Sequence, residues 1–98
     1  MERIVKLTFK EGNEAQFMDA FERVKEDILA SNGCRSLQLL RVQNDTRIFM
    51  TLSVWEDAQA LQNYRRSEFF KHLWQEISPW FDAPAEAWSL DILHSAER

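Results

Sequence analysis

The chain has 98 residues, 45% of them hydrophobic and 12% aromatic, with two Gly, two Pro and one Cys. That is the length of one domain with a core of its own, and a lone cysteine excludes an internal disulfide or a redox pair. The net charge of −4 argues against a nucleic-acid partner, Arg65-Arg66 beside Glu68 being the nearest thing to a basic cluster.

No apolar run reaches the roughly eighteen residues of a membrane span, and Met1-Glu2-Arg3-Ile4 has no signal-peptide character. The expectation is one cytoplasmic domain over residues 1–98, without nucleic acid or membrane as a partner. No metal site is expected either. His72 and His94 lie far apart, and His72 with Glu76 is an i,i+4 pair of the kind common on solvated helix faces.

Ile4 to Phe9 predicts a strand in which Val5, Leu7 and Phe9 alternate with Ile4, Lys6 and Thr8. After Lys10-Glu11-Gly12, Asn13 opens a helix with Gln16 in capping-box spacing. Phe17, Ala20, Phe21, Val24 and Ile28 form its apolar stripe. Ser31-Asn32-Gly33 ends that helix, with Gly33 expected at the C′ position and Cys34 expected as a small buried residue.

Ser36–Val42 and Arg47–Trp55 predict a second and third strand around the polar turn Gln43-Asn44-Asp45-Thr46. In the third, Ile48, Met50, Leu52 and Val54 alternate with Phe49, Thr51, Ser53 and Trp55, so both faces are apolar. Helices can cover only one of them, and a second subunit is the expected cover for the other.

Asp57 is the N-cap of a helix through Ala58, Leu61 and Tyr64, and Ser67 is a second cap inside the same region. Beyond it Phe69, Phe70, Leu73, Trp74 and Ile77 share one broad face. The aromatic loop Ser78–Pro84 is expected to seal the sheet edge, and Glu86–Leu93 to form a last strand. The order β-α-β-β-α-β predicts a ferredoxin-like α+β fold: a four-stranded antiparallel sheet with two helices on one face.

Gly33-Cys34, the strand ending Thr51-Leu52-Ser53-Val54-Trp55-Glu56, the Ala58-Leu61-Tyr64 helix, Arg66-Ser67-Glu68-Phe69 with Trp74, and Ala87-Trp88-Ser89-Leu90 occur in that order. Together they resemble the antibiotic-biosynthesis-monooxygenase superfamily of dimeric α+β barrels. The resemblance implies a homodimer joined through the sheet face and a pocket between sheet and helices. It covers several activities, so it leaves the reaction open.

Aligned to haem-degrading members of that superfamily, the chain has Val5 on or beside the place of their first-strand asparagine, and Tyr64 and Trp74 where they carry tryptophan and an iron-binding histidine. His72 precedes the last of these by two residues, about 200° around the helix, and does not replace it. Where the resemblance to quinol monooxygenases implies histidines, the chain has Tyr64 and Phe69.

The expected pocket is therefore aromatic and apolar, made by Val5, Tyr64, Phe69, Phe70 and Trp74, and suits a flat hydrophobic ligand. Two functions follow as expectations. One is a monooxygenase without a cofactor, acting on a phenol or quinol, with His72 as base and Tyr64 orienting the substrate. The other is a non-catalytic dimeric domain that binds an apolar ligand or serves a structural role. A haem binder with altered ligation ranks behind both.

Overall fold

The computed structural model describes Met1–Arg98. Glu2–Thr8 forms β1, Cys34–Arg41 β2, Ile48–Trp55 β3 and Glu86–Leu90 β4. They pair in the order β2-β3-β1-β4, with antiparallel neighbours throughout. Val5 lies between Thr51 of β3 and Ala87 of β4, which sets the register at the centre of the sheet. With its helices on one face, this is the expected ferredoxin-like α+β fold.

Strand parity divides the residues between two environments. Arg3, Val5 and Leu7 share the helix-covered face with Phe49, Thr51, Ser53 and Trp55. Ile4, Ile48, Met50, Leu52 and Val54 point to the other face, which no element of this chain covers. Leu40 and Trp88, each 45% exposed, belong to that open side. The last strand stops at Leu90, three residues before the expected end, because Leu90 pairs with Glu2 at the start of β1 and finds no ladder beyond.

Glu14–Leu29 forms α1, and its expected stripe is the buried one: Phe17, Ala20, Val24 and Ile28 are buried and Phe21 is half-buried. The capping box does not form. Asn13 sits in helical backbone geometry, φ −97° and ψ 0°, so its side chain is not aimed at the first-turn N–H groups. Its amide instead donates to Gln16 Oε1, while the Glu14 carboxylate accepts the Gly12 N–H at 3.0 Å.

Gly33 is likewise not the C′ residue. The helix is capped at Ala30, and Gly33 is the third residue of a turn closed by the Cys34 N–H on the Ser31 carbonyl at 2.9 Å. Its φ of +85° and the absence of any other residue with positive φ in that turn make it type II.

The second helical region is two helices, α2 (Ala58–Arg65) and α3 (Glu68–Ile77), broken at the expected serine. Asp57 accepts the Ala60 N–H at 2.8 Å, and Ser67 Oγ accepts the Phe70 N–H at 3.1 Å while donating to the Tyr64 carbonyl at 2.6 Å. Each such cap is worth about 1 kcal/mol. Here they also fix the corner that aims Tyr64 inward.

Leu7, Phe9, Phe17, Ala20, Phe49 and Ile77 form one buried core cluster. Phe9 stacks on Phe17 with centroids 4.4 Å apart, and Phe49 meets both edge-on. The aromatic loop after α3 is tied to the end of β1, the Asp82 N–H on the Thr8 carbonyl and the Lys10 N–H on the Trp80 carbonyl, both at 2.8 Å. Phe81 then packs edge-on against Phe9 and Trp74, sealing that end. No helix is long and apolar enough to cross a membrane.

Candidate active site

The remaining space between sheet and helices is a cavity of about 90 Å³. β1 contributes Arg3, Val5 and Leu7 to its floor, and β3 contributes Thr51, Ser53 and Trp55. α1 roofs it with Phe17, Phe21, Val24 and Ile28, while Tyr64 and Trp74 close it from α2 and α3. Ligand sites for drug-sized molecules run to roughly 300–1,000 Å³, and an engineered cavity of about 150 Å³ admits benzene. This one accepts at most a single ring, and only with some movement of its walls.

Twelve of the fifteen lining residues are hydrophobic, so the polar ones decide orientation. Ser53 is buried, and its Oγ accepts a hydrogen bond from Trp55 Nε1 at 2.9 Å. The two residues are i,i+2 on one strand, hence on one face, and the bond fixes the indole. Tyr64 lies against that indole with centroids 5.1 Å apart and meets Phe70 edge-on at 5.2 Å. Burial pushes its phenol well above the ordinary range, with the nearby Cys34 adding to the shift. Tyr64 is therefore a hydrogen-bond donor at neutral pH.

Arg3 is flanked in register by Ser53 on β3 and Ser89 on β4, and its Nη1 donates to Ser89 Oγ at 3.1 Å. Burial, and then the charge of Arg65, hold its guanidinium below its usual range. An arginine shifted in that sense is still a cation in neutral solution.

Of the residues singled out in the sequence, Val5, Tyr64 and Trp74 come together on this cavity. Val5 and Trp74 have no group that ligates iron, and the Tyr64 phenol, which ligates only as the anion, is kept neutral by burial. Phe70 instead sits between Tyr64 and Trp74 as packing, 5.4 Å from the Trp74 ring. Phe69 faces an outer groove of about 430 Å³ between the end of α1 and the α2–α3 corner. His72 is exposed and lines neither space, so within one subunit it does not reach a ligand in the cavity.

Arg3, Thr51 and Ser53 were not foreseen as site residues. Their signal was present in the strand alternation, since Arg3 shares parity with Val5 and Leu7. Cys34 is half-buried at the start of β2. No group of three or more His, Cys, Asp or Glu side chains is placed to hold a metal ion.

A ferredoxin-like sheet with a small apolar cavity under its helices defines the class. The antibiotic biosynthesis monooxygenase family model matches residues 1–75, and the chain belongs to that family. No curated protein sequence matches it.

Solved structures agree on the fold. An antibiotic biosynthesis monooxygenase superposes with a TM-score of 0.87 at 18% identity, over 95% of this chain and 98% of the other. A Mycobacterium tuberculosis protein gives 0.85 at 17% identity, over 98% and 97%. A conserved Methanosarcina mazei protein gives 0.81 at 25% identity, over 88% and 86%.

Proposed function

We propose that this protein is a cofactor-independent monooxygenase for a one-ring phenol or quinol, working as a homodimer joined through the open sheet face. The observation that carries the reading is the cavity itself. Its walls are apolar, its volume is about 90 Å³, and its polar groups are Arg3, Thr51, Ser53 and Tyr64. In such a reaction the ionised phenol supplies all the electrons. One oxygen atom of O₂ bonds to a ring carbon and the other leaves as water, the substrate departing as a quinone. The protein's part is to exclude water and hold the ring, with the Tyr64 hydroxyl donating to the substrate oxygen.

The placement of His72 changes the expected mechanism. With no histidine or carboxylate on the cavity wall, the base assigned to His72 has no counterpart there. The same fact favours the second reading, a non-catalytic domain that binds a small apolar ligand. Oxygen uptake in the presence of one-ring phenols and quinols separates the two. Protein-dependent uptake that falls in Tyr64→Phe supports the enzyme. Quenching of tryptophan fluorescence by the same compounds with no uptake supports the binder.

A further inference from the structure

One side chain on the cavity wall is out of keeping with the rest. Arg3 is the only charged residue among the fifteen, and it projects from β1, one of the two inner strands, onto the face that otherwise carries the core. A guanidinium has five N–H donors, and Ser89 Oγ takes one of them at 3.1 Å. The chain has sixteen acidic residues, yet none of its six ion pairs includes Arg3 or Arg65. Arg65 ends α2, one residue after Tyr64, and its charge is felt at Arg3. Arg3 is thus a cation without a carboxylate partner on the wall of an apolar space.

We propose that Arg3 is the anion-recognition residue of this cavity, and that the cavity takes a compact one-ring molecule bound through an anionic oxygen. A carboxylate and a phenolate share that chemistry. The phenolate is the form required by the monooxygenase reading given above, on which this identification of the substrate's state rests. A cation within about 4–6 Å lowers the pKa of an acidic group by about 1–3 units. Arg3 thus opposes the rise that burial in the apolar cavity imposes on a phenol, and favours loss of its proton to bulk water. An acidic phenol that ionises in bulk water and binds as the anion calls for no base on the wall, which has no histidine or carboxylate. Arg3 is half-buried at the cavity wall, and with no carboxylate of this chain paired to it an anionic oxygen of a ligand can complete the pair.

The test uses 4-nitrophenol, whose ionised form is yellow, with nitrobenzene as a neutral ring of similar size. At a pH just below the ionisation midpoint of free 4-nitrophenol, added protein is expected to raise the yellow absorbance. Tryptophan quenching is expected to show 4-nitrophenolate binding about ten- to a hundredfold tighter than nitrobenzene, as for a hydrogen bond to a charged group. Arg3→Gln is expected to abolish both differences. Ser89→Ala, which removes the bond between the strands and leaves the guanidinium, is expected to keep them.

An unchanged absorbance, equal affinity for the two probes, or an absorbance rise that survives in Arg3→Gln would overturn the proposal. So would a Ser89→Ala protein as impaired as Arg3→Gln, since the arginine would then be only a strand tie. Should Arg3→Gln fail to fold, the two probes on the native protein still decide. Oxygen uptake is a separate readout: anion preference without uptake removes the monooxygenase reading alone, and uptake without anion preference removes this one alone.

Discussion

The ring of Tyr64 lies against that of Trp55, centroids 5.1 Å and planes 33° apart, and Tyr64 is the one residue shared by the inner cavity and the outer groove. It stands between the cavity of about 90 Å³ and the outer groove of about 430 Å³. Tyr64→Ala is expected to join them and to admit a two-ring phenol such as naphthol, read by tryptophan quenching. It is also expected to lower stability by about 2–4 kcal/mol, as for loss of a largely buried aromatic ring. Tyr64→Phe keeps the partition and changes stability by about 1 kcal/mol or less. If Tyr64→Ala binds naphthol no better than the native protein, Tyr64 is not the partition.

The same tyrosine makes the fold sensitive to alkali. Its phenol is raised from an ordinary value of 10.0 because burial disfavours the anion. Above pH 10 the unfolded chain releases a proton that the folded one keeps, so stability is full below that pH and falls as pH rises beyond it. Cys34 acts in the same sense from 9.0, also through burial. Urea midpoints measured from pH 8 upward, native against Tyr64→Phe, isolate the tyrosine. The native midpoint should drop more steeply above about pH 10, and parallel curves would contradict the assignment.

Gly33 joins the first half of the fold to the second. A Cβ built on it would lie 2.5 Å from Ala60 Cβ, and its φ of +85° is one that side chains disfavour. The Gly33 carbonyl also accepts the Glu56 N–H at 2.7 Å, just before α2. Gly33→Ala is expected to cost about 2–4 kcal/mol from the two effects together. Adding Ala60→Gly should return the steric part and leave the conformational part. A urea-unfolding loss below about 0.5 kcal/mol, the usual size for a neutral surface change, would show that the turn gives way easily.

How much of this was legible depends on whether a residue's neighbours are near in sequence. The Asp57 and Ser67 caps were legible because the acceptor and the N–H it serves are three residues apart. The two-faced β3 was legible from parity alone. Asn13 failed as a cap because spacing does not reveal backbone angles, and here the residue was already helical. Phe70 shares a helical stripe with Trp74, but the Ser67 break brings Tyr64 against it and turns it into packing at a corner. His72 looked like a base because it was the only histidine in the helical block, and its exposure follows from a rotation that the stripe itself implied. Arg3 was overlooked although its parity put it on the core face, because a charged residue near a terminus is ordinarily solvated.

The open face provides the last prediction. Trp88, Ile4 and Leu52 form one row across β4, β1 and β3, with Leu40 and Met50 paired in the next row. Uncovered apolar rows of this breadth are unusual on a monomer, and a homodimer through this face would bury them on both sides of a two-fold axis. Sedimentation of the native protein is expected to give a dimer, and Leu52→Asp, which places two like charges near that axis, a folded monomer. Circular dichroism of the variant should stay native, because Leu52 points away from the core cluster. A native protein that sediments as a monomer at every concentration would refute the interface. The cavity lies on the sheet face opposite Leu52, so monomeric Leu52→Asp should still quench with a one-ring phenol. Loss of binding together with the dimer would instead mean that the partner holds the cavity in shape.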